Sequence, residues 1–175
     1  MRAIDGRRFR TALGRFATGI VVVSTRADGV LHAMTANAFM SGSLEPPLVL
    51  VSIGRRARMH GFLHRADAFG VAVLTHTQER HSRHFAGQRL EGFDPRFEDL
   101  DGIPVLGSAA ARIAARIVHR YACGDHSLFV GQVVALELGD EEIGPLLFYA
   151  GKYARLESAR AFRPGARPDE LPFFY

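Results

Sequence analysis

Ile20-Val21-Val22-Val23-Ser24-Thr25, then Arg26-Ala27-Asp28-Gly29 and a return at Val30, decides the class of fold. The first run is short and β-branched, so it reads as a buried strand. Ala27-Asp28-Gly29 is a turn signal, and Val30 opens the second arm of a hairpin. Two similar runs follow: Leu48-Val49-Leu50-Val51-Ser52-Ile53, announced by Pro46-Pro47, and Phe69-Gly70-Val71-Ala72-Val73-Leu74. Ala109 to Tyr121 is more ambiguous. Its alanines favour a helix, but the alternation of Ile113, Ala115, Ile117 and Tyr121 favours a strand, which is the reading taken. Leu128 to Leu138 is a clearer strand, and Gly144-Pro145 starts a final run from Leu146 to Leu156.

Helical signals are short. Phe9, Leu13 and Phe16 recur at i, i+4, i+7, with Ala12 and Ala17 on the same side, Asp5 as a cap and Gly19 as a stop. Met59 to His64 is a second helix. Thr77 to Phe85 is a third, polar one, with Thr77 as its cap. Gly87 to Gly107 holds four glycines and two prolines and reads as a long irregular loop. About six strands with short helices between them do not form a βαβ series. The expectation is a mainly β chain with short helices (α+β), closed into a small barrel that disposes of its sheet edges. Residues 1–175 read as one domain, with a core at about 9–156 and a tail at 157–175.

Composition narrows the function. The chain has 175 residues, 47% hydrophobic and 23% charged, enough to build a core without staples. The lone Cys123 excludes a disulfide framework and any multi-cysteine metal site. A net charge of +4 is mild. Its one tight cluster, Arg55-Arg56-Ala57-Arg58, suits a single phosphate group better than a duplex backbone, so no nucleic-acid partner is expected. No apolar run approaches the ~18 residues of a spanning helix. Met1 to Arg10 lacks the apolar stretch of a signal peptide, so a cytoplasmic protein with no membrane partner is expected.

The familiar phosphate loops, G-x-G-x-x-G and G-x-x-x-x-G-K-[ST], are absent, as is H-E-x-x-H. His60/His64 and His81/His84 could each share a helix face, but each pair lacks a third ligand, and no metal is expected. Cys123-Gly124-Asp125-His126 offers a thiol, a carboxylate and an imidazole. Residues so close rarely converge on one point, and Gly124-Asp125 more plainly makes a turn that presents His126 at a barrel rim. Met34-Thr35-Ala36-Asn37-Ala38-Phe39-Met40-Ser41-Gly42-Ser43-Leu44 is small, polar and uncharged until Glu45. It is either an ordinary polar loop or a site for a heteroaromatic ring with imide and carbonyl edges.

Taken in order, these segments resemble the short-chain flavin reductase family over about Phe9 to Leu156. The landmarks are Phe-x-x-x-Leu-x-x-Phe-x-x-Gly ending at Gly19, Thr35-Ala36-Asn37-Ala38-Phe39 with Ser41 and Ser43, and Pro46-Pro47 before a strand. Phe85-Ala86-Gly87, Gly124-Asp125-His126 before Leu128-Phe129-Val130-Gly131, and Pro145 to Tyr149 with Gly151-Lys152-Tyr153 complete them. The resemblance implies a split β-barrel of Greek-key, flavin reductase-like FMN-binding type, dimerising with flavin at the subunit interface. It implies hydride transfer from NADH or NADPH to FMN or FAD, and delivery of reduced flavin by diffusion to a partner monooxygenase. The alternative is a flavin-binding split barrel that reduces a cobalamin or iron complex. Thr35, Ala36, Asn37, Ser41 and Ser43 would line the flavin ring and ribityl chain, and Ser52 with the following turn would reach the phosphate. Phe85, Ala86 and Gly87 would complete the pocket. His126 would face the nicotinamide, with Tyr149 and Lys152 at the outer edge. The family often has an Arg followed by Ser and Thr hydroxyls after the Pro-Pro strand. Here Arg55 is followed by Arg56, Ala57 and Arg58, and Arg55 with Arg58 would hold the phosphate by charge-assisted bonds.

Overall fold

The computed structural model describes residues 4–88, 90–140 and 142–156; the expected tail at 157–175 lies outside the described residues. Twelve strands are present among the described residues: β1 (Thr18–Gly19), β2 (Val21–Ala27), β3 (Val30–Ala36), β4 (Phe39–Leu44), β5 (Pro47–Gly54), β6 (Ala68–Val73), β7 (Phe97–Leu100), β8 (Ile103–Leu106), β9 (Ala111–Cys123), β10 (His126–Leu138), β11 (Leu147–Tyr149) and β12 (Lys152–Ala154). Three helices interrupt them: α1 (Gly6–Leu13), α2 (Arg58–Arg65) and α3 (Glu79–Phe85), the last entered through a 3₁₀ turn at His76–Gln78.

Seven strands form one antiparallel sheet in the order β3-β2-β6-β9-β10-β5-β4. Its two edge strands, β3 and β4, are consecutive in the chain and joined only by Asn37-Ala38. A two-residue link can connect opposite edges only if the sheet has rolled up until they meet. No ladder joins them, so the barrel is split between β3 and β4. The Ser52 N–H donates to the Ala38 carbonyl at 3.0 Å and pins the link to β5.

The unbroken apolar run at Ile20–Val23 now has its reason. Strand residues alternate faces, and both faces of β2 are covered. Val21 and Val23 point into the barrel with Val51, Ile53, Phe69 and Phe129, where Met59, Phe62 and Leu63 of α2 plug one end. Ile20 and Val22 pack outside it with Leu74, Val105, Leu106 and Leu146. Asp28 (φ 52°) and Gly29 (φ 74°) make the tight β2–β3 turn.

Several local expectations change. Residues 87–107 are not one irregular loop: β7 and β8 form a hairpin within it, and Ile103, Val105 and Leu106 are buried against the outer face. The Ser24 hydroxyl donates to the Pro104 carbonyl at 2.6 Å and fastens that hairpin down. Two four-residue strands were hidden by the surrounding glycines and acids. The helix cap is Thr75 rather than Thr77, in a capping box closed by Gln78. Asp5 caps α1 as expected, accepting from the Arg7 and Arg8 N–H groups, but the helix ends at Gly14, not Gly19, which lies in β1. The apolar face of α1 is not core: Phe9, Leu13 and Phe16 are 53%, 57% and 76% exposed. Phe39–Leu44 is an edge strand rather than a loop. The final run folds as the hairpin β11–β12.

Candidate functional site

The split in the barrel leaves a cleft beside the end of β3. It is lined by Ile20, Thr35, Ala36, Asn37, Ser82, Ala86, Phe148 and Tyr153, with a volume of about 160 Å³. A second cleft of about 280 Å³, lined by Phe16 to Gly19 with Phe39, lies on the other side of Asn37, which belongs to both. Each is below the roughly 300 Å³ at which ligand pockets begin.

Each wall has a local cause. β3 is an edge strand, so its outward N–H and C=O groups are unpaired in the sheet and free for a ligand. Phe148 and Tyr153 are register partners in the β11–β12 hairpin, and partners share a face. The hairpin is held by β1 and by the Ala150 N–H, which donates to the Gly14 carbonyl at 2.8 Å. Tyr153 and Ser82 share a hydroxyl hydrogen bond of 2.9 Å, and the Arg83 guanidinium lies 4.9 Å from the Tyr153 ring centre. The Thr35 hydroxyl donates to the Ser82 carbonyl at 2.7 Å, tying β3 to α3. Asn37 Nδ2 donates to the Thr18 hydroxyl at 3.3 Å, which leaves its carbonyl and second N–H available. The donor set has no carboxylate or ammonium. It fits the neutral imide and carbonyl edge of a flavin ring.

The expected site residues divide. Thr35, Ala36, Asn37 and Ala86 meet in the cleft. Phe85 turns instead into the outer core, edge-on to Phe97 at 5.7 Å, and Gly87 is exposed beyond the helix end. Tyr149 and Lys152 are one residue out of phase with the lining pair and are exposed. Ser41 and Ser43 lie opposite Val49 and Leu48, at the start of β5. From Leu48 to Arg55 is about 23 Å of strand, so these serines and the arginines cannot hold one phosphate. Ser43 accepts from the Glu45 N–H. Sequence reasoning missed Ile20, Ser82, Phe148 and Tyr153. The signal for the last two was period-2 alternation about the Ala150-Gly151 turn.

A second group gathers at the far end of β5. Ser52 lies beside Ala38, and β5 ends at Gly54, the register partner of His126. Arg55, Arg56 and Arg58 follow, all exposed. His126 is separated from Ala38 by two strand spacings and two residues, about 12 Å. Its Nδ1–H donates to the Asp125 carboxylate at 2.7 Å, and that hydrogen bond, followed by the imidazole's charge, lowers the Asp125 pKa. His60, on α2, meets the Ser127 hydroxyl at 2.9 Å; burial first, then His64 and Arg55, lower its pKa. His32 is lowered by burial and then by Arg58.

A barrel split at an uncharged cleft, with a histidine and an arginine-rich loop one ligand-length away, is the architecture of a flavin-handling oxidoreductase. Residues 13–157 match the family described as Flavin reductase like domain, and the chain belongs to it. It is 43% identical over 151 residues to an NADH-dependent flavin reductase of a Rhodococcus species, covering 85% of each chain. It is 43% identical over 148 residues to the reductase component of 4-hydroxyphenylacetate 3-monooxygenase from Thermus thermophilus, covering 85% of this chain and 95% of that one. Among solved structures, the flavin reductase PheA2 in its native state superimposes with a TM-score of 0.84 at 44% identity, covering 89% of this chain and all of that one.

Proposed function

We propose that this chain is an NADH:flavin oxidoreductase that passes hydride to FMN or FAD and supplies the reduced flavin to a separate monooxygenase. The observation that carries the reading is the neutral cleft at Thr35-Ala36-Asn37, set in a chain whose relatives, matched over most of their length, are an NADH-dependent flavin reductase and a monooxygenase reductase component. A bound flavin supplies the hydride acceptor, its N5 atom. The chain has four tasks. Asn37 and the free edge of β3 hold the ring's polar rim. Ala86, Phe148 and Tyr153 give it an apolar wall. Arg55 and Arg58 neutralise its phosphate from the end of β5. His126 orients the nicotinamide over the ring. No side chain has to exchange a proton for hydride transfer itself, and catalysis here is placement.

The reading includes a homodimer and cytoplasmic residence. The dimer accounts for two observations. The single-chain clefts are small for a flavin, and α1 buries none of its residues while presenting Phe9 and Leu13, with Phe16 just beyond, to solvent. A second copy seated there would cover the apolar face and deepen the cleft. No helix among the described residues is long and apolar enough to cross a membrane. The test is steady-state oxidation of NADH and NADPH, each crossed with FMN, FAD and riboflavin. Turnover that depends on added flavin supports the reading. NADH consumption that needs no free flavin but does need a cobalamin or iron complex would replace it.

A further inference from the structure

We infer that Asp125 is a positioning residue for His126: its carboxylate holds the ring's Nδ1–H, leaving Nε2 as a bare acceptor for the amide or hydroxyl protons of NADH. The inference rests on the reading of His126 as the group that faces the nicotinamide. Three observations carry it. The two residues are adjacent at the tip of the β9–β10 hairpin, where Gly124 takes the positive φ (59°) of a two-residue turn. That turn brings Asp125 Oδ1 to 2.7 Å from Nδ1. The ring lies over Gly54, with Nε2 nearest: a Cβ there would stand 3.5 Å from it, at ordinary van der Waals distance.

Asp125 also has a second tie. Its carbonyl accepts the Arg55 N–H at 2.9 Å, so the hairpin tip and the arginine loop are joined through one residue. Ser127 and His60 add a link from β10 to α2 just behind it. The nicotinamide-facing ring and the phosphate-facing loop are therefore parts of one rigid unit. Arg56, on that loop, is the further charge felt at the Asp125 carboxylate. The Asp125 side chain is 96% exposed and His126 47% exposed. A contact so open to water contributes little to stability. Its consequence is the tautomer, because the partner on one imidazole nitrogen fixes the state of the other.

The experiment uses the full chain with FMN and NADH. Stopped-flow hydride transfer is measured for D125A, D125N, H126A and the D125A/H126A double variant. D125A keeps the backbone tie to Arg55, so FMN affinity and thermal midpoint should match the parent. Hydride transfer should slow about tenfold, as for one charge-assisted hydrogen bond. D125N, whose amide oxygen can still accept from Nδ1–H, should recover part of the rate. The double variant should be no slower than H126A, because Asp125 acts only through the ring. Nitrogen-15 NMR of the imidazole should show the Nδ1–H form in the parent and its loss in D125A. A D125A rate equal to the parent beside a slow H126A would overturn the inference. So would a D125A penalty that persists in full without His126, or an Nε2–H tautomer in the parent. An H126A variant as fast as the parent would overturn the role of His126 itself, and this inference with it.

Discussion

Replacing Thr35 with valine keeps the shape of the side chain and removes one hydroxyl. The residue type suggests a flavin donor, but the structure directs that hydroxyl inward, to the Ser82 carbonyl at 2.7 Å. Ser82 O also accepts the Ala86 N–H at 2.9 Å, so it keeps one partner when Thr35 is lost. The loss is then one ordinary hydrogen bond with no orphaned acceptor, about 0.5–1.5 kcal/mol. For a chain of this size the melting midpoint should fall by about 1–6 °C. Riboflavin affinity, read by fluorescence titration, should stay within about threefold, because the donor was never offered to the ligand. Thr35→Ser keeps the hydroxyl and should melt nearer to the parent. A Thr35→Val protein with an unchanged melting midpoint and riboflavin binding weakened tenfold or more would show that Thr35 leaves Ser82 for the flavin. The reasoning from this geometry would then be wrong.

Three further outcomes are expected. Arg55→Ala and Arg58→Ala should raise KM for FMN by roughly 10- to 150-fold, the 1.5–3 kcal/mol of a charged contact, and leave riboflavin kinetics unchanged; equal losses on both flavins would remove the arginines from the phosphate. Leu13→Glu with Phe16→Glu should convert a sedimenting dimer to monomer and abolish flavin binding, whereas a parent chain that sediments as an active monomer at micromolar concentration would end the dimer proposal. His32, His60 and His81 all sit below the ordinary imidazole value of 6.5, burial being the first cause in each. The unfolded chain therefore binds protons more readily, and stability present above pH 6.5 should be lost as the pH falls through and below that value. Urea midpoints measured between pH 8 and 5 should decline, and His60→Gln should flatten the decline; a midpoint that rises on acidification would contradict it.

How much of this was legible in the sequence depends on whether the deciding contact is local. The strands at Ile20, Leu48, Phe69, Ala109 and Leu128 announce themselves because burial on a pleated sheet selects β-branched and alternating residues over short windows. The Asp28-Gly29 and Gly124-Asp125 turns are equally local. The β7–β8 hairpin was not legible: its apolar residues are few, and their burial depends on Ser24 and Pro104 meeting across 80 residues of chain. The face of α1 misled in another way. Its amphipathic spacing is real, but periodicity records that a face is apolar, not whose surface covers it. At the site, Thr35 to Asn37 were readable as small neutral residues, and Ala86 only through the family resemblance. Alternation about the Ala150-Gly151 turn puts Phe148 and Tyr153 on one face, but nothing local to them or to Ser82 says that α3 and the last hairpin close on the same edge of β3.

That edge explains why the site falls where it does. A fully closed barrel would spend the outward backbone groups of β3 on β4. Here the two strands are consecutive, but neither Asn37 nor Ala38 takes the positive φ that the tight turns at Asp28-Gly29 and Gly124 use, so β4 does not fold back beside β3. The chain instead sends β4 to pair with β5, at the opposite edge, and fixes Ala38 there through Ser52. The row of donors and acceptors left on β3 has to be answered by water or by a ligand. Ligand answers it best if it is flat, polar along one rim and apolar on its faces, because Phe148 and Tyr153 stand over the same gap. The same β5 that anchors the link runs on to Gly54 and the arginines, so one strand would set the proposed ring and phosphate sites at a fixed spacing. Shortening β5 by one residue between Ser52 and Gly54 should therefore disable FMN and FAD use while riboflavin still binds. Loss of riboflavin binding in a variant that stays folded would mean that the ring site does not stand independently of the arginine loop.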